Sequence, residues 1–197
     1  MSVARSKRCA VLAAWGLLAV IRAGNAAAAG VDGVTVSSSR EGFRIAFDAV
    51  VDAPAQQVYK VLSDYSRLGK LNPVITAISV ESAPNGRGER VRSVIRSCVW
   101  IFCRDLVQVE DVTESTPNLI EAQIVPGAGD FASGWCFWRI TSDGARTRLR
   151  YEAARVADFW IPPLIGPWAI ERTLREHLQS SIEALERAAN GVDSRKP

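Results

Sequence analysis

The sequence predicts an α+β domain of one strand, two short helices, about six further antiparallel strands and one long C-terminal helix that covers the sheet. Three observations predict it. Residues 74–159 run in strand-like stretches of about a dozen residues separated by turn clusters, the signature of an antiparallel meander. In the last stretch Arg146, Arg148, Arg150 and Glu152 share one face while Thr147, Leu149, Tyr151 and Ala153 share the other, so one side of the sheet is solvated and the other needs a cover. Residues 166–190 supply that cover, with Trp168, Ala169, Leu174, Leu178, Ser181, Ile182, Leu185 and Ala188 mostly on one helical stripe.

Gly42 to Val51 opens the domain as a strand rich in β-branched and aromatic residues. Asp52-Ala53-Pro54 follows, a cap candidate with proline near the first helical turn. Val58, Val61, Leu62 and Tyr65 recur at three- and four-residue steps and predict a helix over 54–65. A short turn segment then closes at Asn72-Pro73, because proline disfavours helical geometry in the residue before it. Strands are expected over 74–82, 89–98, 103–113, 119–125, 133–141 and 146–157. Turns at Pro84-Asn85-Gly86, Thr116-Pro117-Asn118, Pro126-Gly127-Ala128-Gly129 and Ser142-Asp143-Gly144-Ala145 separate them. Arg90, Arg92 and Arg96 oppose Val91, Ser93 and Ile95, repeating the wet and dry faces of the last strand. The final helix carries Glu171–Arg175, Arg172–Glu176 and Glu183–Arg187 on its wet side. At ~24 residues it is ~36 Å long, enough to cross a sheet.

The chain has 197 residues, 48% apolar and 23% charged, proportions that exclude a disordered, collagen-like or multi-span membrane chain. Its formal charge of +3 is concentrated in Arg5, Lys7, Arg8 and Arg22. Taking those four from the 24 bases leaves 20 against 21 acids, a net of −1. A near-neutral body argues against nucleic acid as a partner. Residues 1–29 read as a signal peptide: a basic start at Arg5–Arg8, a thirteen-residue apolar core from Cys9 to Ile21, and small residues at Ala26–Ala29. That core is short for a bilayer span of ~20 residues. The expectation is export, periplasmic or secreted, with a domain over 30–190 and a tail over 191–197.

Cys98, Cys103 and Cys136 remain after such cleavage. If the chain turns between Cys98 and Cys103, the two face each other across a hairpin in bonding range, and in an oxidising compartment a disulfide is expected. The alternatives are three small buried hydrophobes or a pairing that includes Cys136.

The order of elements, with Val51-Asp52-Ala53-Pro54 leading into Val61-Leu62 and Asp64-Tyr65, resembles the START-like helix-grip superfamily over residues 42–188, above all its polyketide-cyclase and coenzyme Q-binding branch. The resemblance implies a curved antiparallel sheet of about six to seven strands wrapped on the C-terminal helix, with an apolar cavity between them for a lipid, quinone or polyketide-like molecule. On that reading Ile95, Val107, Val109, Ile124, Trp138, Leu149, Tyr151, Trp168, His177 and Leu178 are the candidate ligand-lining residues. Trp100 and Phe102, at the tip of the cysteine hairpin, are candidates for contact with a membrane or for a gate over the cavity.

Catalytic signals are sparse. A single histidine, His177, rules out a multi-His metal site, and no cysteine spacing suits zinc. No nucleophile elbow or phosphate loop occurs, and nothing implies a cofactor, a metal or a particular oligomeric state. The aromatic group Phe131, Trp135, Phe137, Trp138, Phe159, Trp160 and Trp168 reads either as core or as cavity wall. The apolar connector 159–168, with three prolines, reads as a closure of the cavity or as packing onto the helix start. Three functions therefore stand: an exported carrier of a hydrophobic small molecule, a cyclase- or aromatase-type enzyme using Tyr151, His177 and an inward Arg155, or a membrane-associated module acting through Trp100 and Phe102.

Overall fold

The computed structural model describes residues 30–38, 42–99, 102–116, 118–159 and 167–191. The expected signal peptide, the hairpin-tip residue Trp100, most of the proline connector and residues 192–197 lie outside them.

Eight strands form one antiparallel sheet: β1 (Gly30–Ser38), β2 (Gly42–Val51), β3 (Ile75–Ser82), β4 (Glu89–Val99), β5 (Phe102–Thr116), β6 (Leu119–Ile124), β7 (Phe131–Asp143) and β8 (Arg146–Ala157). Helix α1 (Ala55–Leu62), a 3-10 turn (Tyr65–Arg67) and α2 (Leu68–Leu71) follow β2, and α3 (Pro167–Ala189) ends the domain. The order across the sheet is β1-β2-β8-β7-β6-β5-β4-β3, so the chain closes β8 back onto β2 and meanders through the rest. This is the expected α+β architecture with one strand more. Strand β1 is the addition. Its register against β2 shifts between Asp32 and Thr35, which breaks the period of two that a strand otherwise shows, and Gly33 takes a positive φ of 62° there. The expected helix over 54–65 divides into α1 and the 3-10 turn.

The pairing fixes which side chains share a face. Ile45, Phe47, Ala49 and Val51 of β2 stand opposite Ala153, Tyr151, Leu149 and Thr147 of β8, and this inner face packs with Ile182, Leu185 and Ala189 of α3 and with Val58 and Leu62 of α1. The spacing 178, 182, 185, 189 is the apolar stripe of an amphipathic helix, with Leu178 at its half-buried end. Burying such side chains contributes roughly 1.5–3 kcal/mol each. Two polar ties seat the helix end: the Asp52 amide donates to Glu186 Oε2 at 2.7 Å, and Asn190 Nδ2 donates to Asp52 O at 2.9 Å. Thr147, wholly buried, donates its hydroxyl to Ala53 O at 2.6 Å, joining β8 to the bend before α1.

The outer face is the solvated one. Arg90 grips Asp111 with two hydrogen bonds, at 2.7 and 2.9 Å, Arg150 pairs with Asp48 and Glu152, and Arg148 with Asp143. Cys98 and Cys103 lie directly opposite each other in the β4–β5 register and form a disulfide with Cα atoms 4.0 Å apart. Cys136 is a free thiol.

Candidate functional site

The inner face carries a polar cluster in an otherwise apolar surface. Starting from β8, the row Arg155, Gly134, Ile124, Glu110 runs across β7 and β6 to β5. Gly134 has no side chain, and a Cβ there would stand 2.8 Å from Arg155 Cδ and 3.1 Å from Ile124 Cγ1. The missing Cβ is what lets the long Arg155 side chain cross β7. It reaches Glu110, 2.5 Å away, and the two form an ion pair in which Arg155 is only 5% exposed and Glu110 12%.

The surrounding groups complete it. Gln108 Nε2 donates to Glu110 Oε2 at 2.7 Å, and Arg155 Nε donates to Gln108 Oε1 at 3.3 Å. Arg155 also donates to the carbonyls of Trp135 and Ala154. Cys136 Sγ lies 3.9 Å from Glu110 Oε1, and the Tyr151 side chain neighbours the Cys136 thiol. Burial pushes the Glu110 carboxyl above the usual carboxylate range, although Arg155 and Gln108 pull the other way. Burial, and then the Glu110 charge, push the Cys136 thiol up to about 11. Burial also raises the Tyr151 phenol well above its ordinary value. For Arg155 burial opposes the charge, but Glu110, Tyr151 and Cys136 outweigh it and hold the guanidinium charged. The cluster is thus one fixed cation held against a carboxyl, with two neutral donors beside it at neutral pH.

An aromatic group adjoins the cluster. Tyr151 lies 4.5 Å from Trp138 and 5.1 Å from Phe47, centroid to centroid, and Phe47 meets Trp138 edge-on at 5.7 Å. On α3, Ser181 Oγ is buried without a hydrogen-bond partner among the described residues, an unmet donor near the buried stripe of the helix.

Towards the 3-10 turn, Glu114 accepts hydrogen bonds from the hydroxyls of Tyr59 and Tyr65, the latter at 2.8 Å. Tyr65, Glu89, Val112 and Glu114 line a hollow of about 350 Å³ with Arg87 at its rim. Burial, with Glu89 adding to it, raises the Tyr65 phenol.

Among the sequence-derived candidates, Ile95, Ile124, Trp138, Leu149 and Tyr151 stand on the inner face. Leu149 is 0% exposed within the core, so it supports the wall and offers no surface to a ligand. Val107 and Val109 are a correction. The register that sends Gln108, Glu110 and Val112 inward sends both valines to the outer face. Leu178 packs at the edge of the core and His177 is half-buried on α3; His177 takes no part in the hydrogen bonds of the cluster. Trp168 lies in α3, but its side chain, like that of Phe102, lies outside the described residues, as does Trp100 altogether. Sequence reasoning missed Glu110, Gln108 and Cys136 as partners of Arg155. The one available signal was an acid and an amide at alternate positions of a strand that also carries Leu106 and Val112 on that face.

No curated protein matches this sequence. Among solved structures the chain is similar to a START superfamily protein from Mycobacterium smegmatis, at 20% identity and a TM-score of 0.59 over 76% of this chain and 98% of that one. It is also similar to the Zhui aromatase/cyclase from Streptomyces sp. R1128, at 17% identity and a TM-score of 0.56 over 75% of this chain and 93% of the other. A protein from Thermus thermophilus shares 16% identity and a TM-score of 0.56, over 76% and 98% of the two chains. These likenesses show the START-like fold. A sequence profile described as polyketide cyclase / dehydrase and lipid transport matches residues 42–190, most of the chain, and the protein belongs to that family.

Proposed function

We propose that the protein is an exported carrier that holds a hydrophobic small molecule, such as a lipid, quinone or polyketide-like compound, between the sheet and α3. The observation that carries the reading is the state of the inner face. Ile78, Ile95, Leu106, Trp138 and Tyr151 point inward, yet each stays only half-buried. A close-packed interior leaves large apolar side chains little accessible surface, so inward groups that keep theirs border open space. The Arg155–Glu110 cluster and the Tyr151 hydroxyl supply the few polar contacts that orient a mostly apolar ligand. The family description, which includes lipid transport, supports the same reading. Export rests on the basic, apolar and small-residue sequence of residues 1–29.

Native mass spectrometry of protein recovered from the exported fraction tests this. The expected result is a co-purifying apolar molecule, and uptake of the uncharged fluorophore N-phenyl-1-naphthylamine once that molecule is stripped. Protein that is recovered empty and takes up neither the fluorophore nor lipids or quinones rules the carrier out. Finding the full-length precursor confined to the cytoplasm rules out export.

The buried cluster favours one second reading, a cyclase-type enzyme in which Tyr151 and Arg155 work on a bound chain; the Zhui aromatase/cyclase shares the fold. A poly-β-ketone thioester mimic separates the two. Cyclised product that disappears in Arg155→Met while fluorophore uptake persists supports the enzyme, and release of unchanged mimic supports the carrier.

A further inference from the structure

We infer that the molecule carried on the inner face is uncharged and offers an oxygen acceptor, such as a ketone, quinone or ester carbonyl, to the Tyr151 hydroxyl, and that the Arg155–Glu110 cluster excludes free carboxylates and amines. This cargo class rests on the carrier reading and narrows it. An arginine on an apolar inner face is at first sight a receptor for an anionic head group. The bonds around Arg155 give it the opposite role.

A guanidinium has five N–H donors in a fixed fork. In Arg155, Nε donates to Gln108 Oε1 at 3.3 Å, Nη1 to the carbonyls of Trp135 and Ala154, and Nη2 to Glu110 Oε1 at 2.5 Å. A single Nη2–H is left, on a side chain only 5% exposed. A carboxylate takes two parallel N–H groups from one guanidinium, and Arg155 no longer presents two. Its charge is met as well as its donors. Glu110 neutralises it in contact, and a second carboxylate there would be repelled by Glu110. Glu110 in turn is closed to an amine. Its Oε1 accepts from Arg155 and lies 3.9 Å from Cys136 Sγ, and its Oε2 accepts from Gln108 Nε2 at 2.7 Å. A charged head group placed here would be buried without a partner, which is costly.

One donor stays outside this network. The Tyr151 hydroxyl donates none of those bonds, and burial keeps the phenol protonated far past neutral pH. Its ring is half-buried, with Trp138 at 4.5 Å and Phe47 at 5.1 Å, centroid to centroid. Along the same inner face Ile95 and Leu106, paired across β4 and β5, are half-buried too. The surface offered to cargo is therefore apolar and aromatic with one neutral O–H. Its complement is an apolar molecule with one neutral acceptor.

Displacement of N-phenyl-1-naphthylamine from the stripped protein tests this at about pH 8, where carboxylic acids are ionised and alkylamines protonated. Tridecan-2-one and dodecanoate carry the same undecyl tail and differ in the head, an uncharged acetyl group against a carboxylate. Dodecylammonium supplies the cation. Tridecan-2-one is expected to displace the fluorophore, with dodecanoate and dodecylammonium about tenfold weaker or worse. Glu110→Gln deprives the guanidinium of its counter-ion, and dodecanoate should then gain about tenfold relative to the ketone. Tyr151→Phe should weaken the ketone about tenfold. The inference is overturned by dodecanoate that matches the ketone on the wild type, by an unchanged ratio in Glu110→Gln that circular dichroism shows to be folded, or by ketone affinity indifferent to Tyr151→Phe. Where Glu110→Gln does not fold, the wild-type ranking and Tyr151→Phe decide. Protein that takes up no fluorophore overturns the carrier reading itself, and the cargo class with it.

Discussion

Arg155 of β8 and Glu110 of β5 form an ion pair, 2.5 Å apart, although two strands of the sheet separate their own. The pair ties the β2-β8 side of the sheet to its β5-β4 side on the inner face, and the row between them is open to the Arg155 side chain at Gly134.

The first prediction concerns what the pair contributes. Removing one partner of a buried pair leaves an uncompensated charge and costs about 3–5 kcal/mol, whereas replacing both with apolar groups is often neutral. Arg155→Met alone should therefore lower the urea unfolding free energy by that amount. Arg155→Met with Glu110→Leu should recover most of the loss. A double variant as unstable as the single one would show that the pair itself, and not the orphaned carboxylate, dominates.

The second follows from the direction of the Glu110 shift. Burial leaves its folded carboxyl above the ordinary range in spite of Arg155, so the folded state binds this proton more tightly than the unfolded chain. Stability from that proton is fully present below the unfolded value of about 4.3 and is lost as pH rises through the folded one. The stability of wild type minus that of Glu110→Gln, followed by urea unfolding, should fall as pH is raised from the acid side of the carboxylate range towards neutrality. A difference that grows with pH would mean that Arg155 outweighs burial.

The same cluster explains where the sequence was readable and where it misled. The β8 alternation, with arginines against Thr147, Leu149, Tyr151 and Ala153, was plain because inward positions there are mostly apolar, and the α3 stripe was plain for the same reason. Arg155 continues the inward parity of β8, and its inward placement could be read from that. In β5 the usual rule reversed. Val107 and Val109 alternate with Gln108 and Glu110, and apolar-inward reasoning selects the valines, but the structure turns the polar pair inward because Arg155 waits there from a strand 45 residues on. A charge partner so distant leaves no local periodicity. Strand β1 was missed for a different reason, the register shift near Gly33 that destroys its alternation.

The third prediction is chemical. The thiolate is the nucleophile of a cysteine, and the Cys136 thiol, pushed up to about 11 by burial and by Glu110, stays protonated at neutral pH. Of Cys98, Cys103 and Cys136, iodoacetamide should label none in the native protein, Cys136 alone after unfolding in urea, and all three after unfolding with a reductant. Peptide mass spectrometry reads each case. Rapid native labelling of Cys136 would show that the cluster is open to solvent and that its groups are not buried as described.

The fourth concerns Tyr151, which joins the aromatic group to the cluster. Tyr151→Phe keeps the ring contacts with Trp138 at 4.5 Å and Phe47 at 5.1 Å and deletes only the hydroxyl beside Cys136. Losing a polar contact of the hydroxyl costs at most about 1 kcal/mol of stability, an effect shared by any structural role. The distinguishing measurement is binding. If the hydroxyl faces the carried molecule, Tyr151→Phe should weaken retention of the co-purified ligand, by about tenfold for one buried hydrogen bond left unmade. Uptake of N-phenyl-1-naphthylamine, which rests on ring contacts, should hardly change. Cys136→Ala removes the neighbouring thiol but leaves the hydroxyl, so retention should survive there. Equal loss of both ligands in Tyr151→Phe would place the tyrosine in the wall and not at the polar end of the hollow.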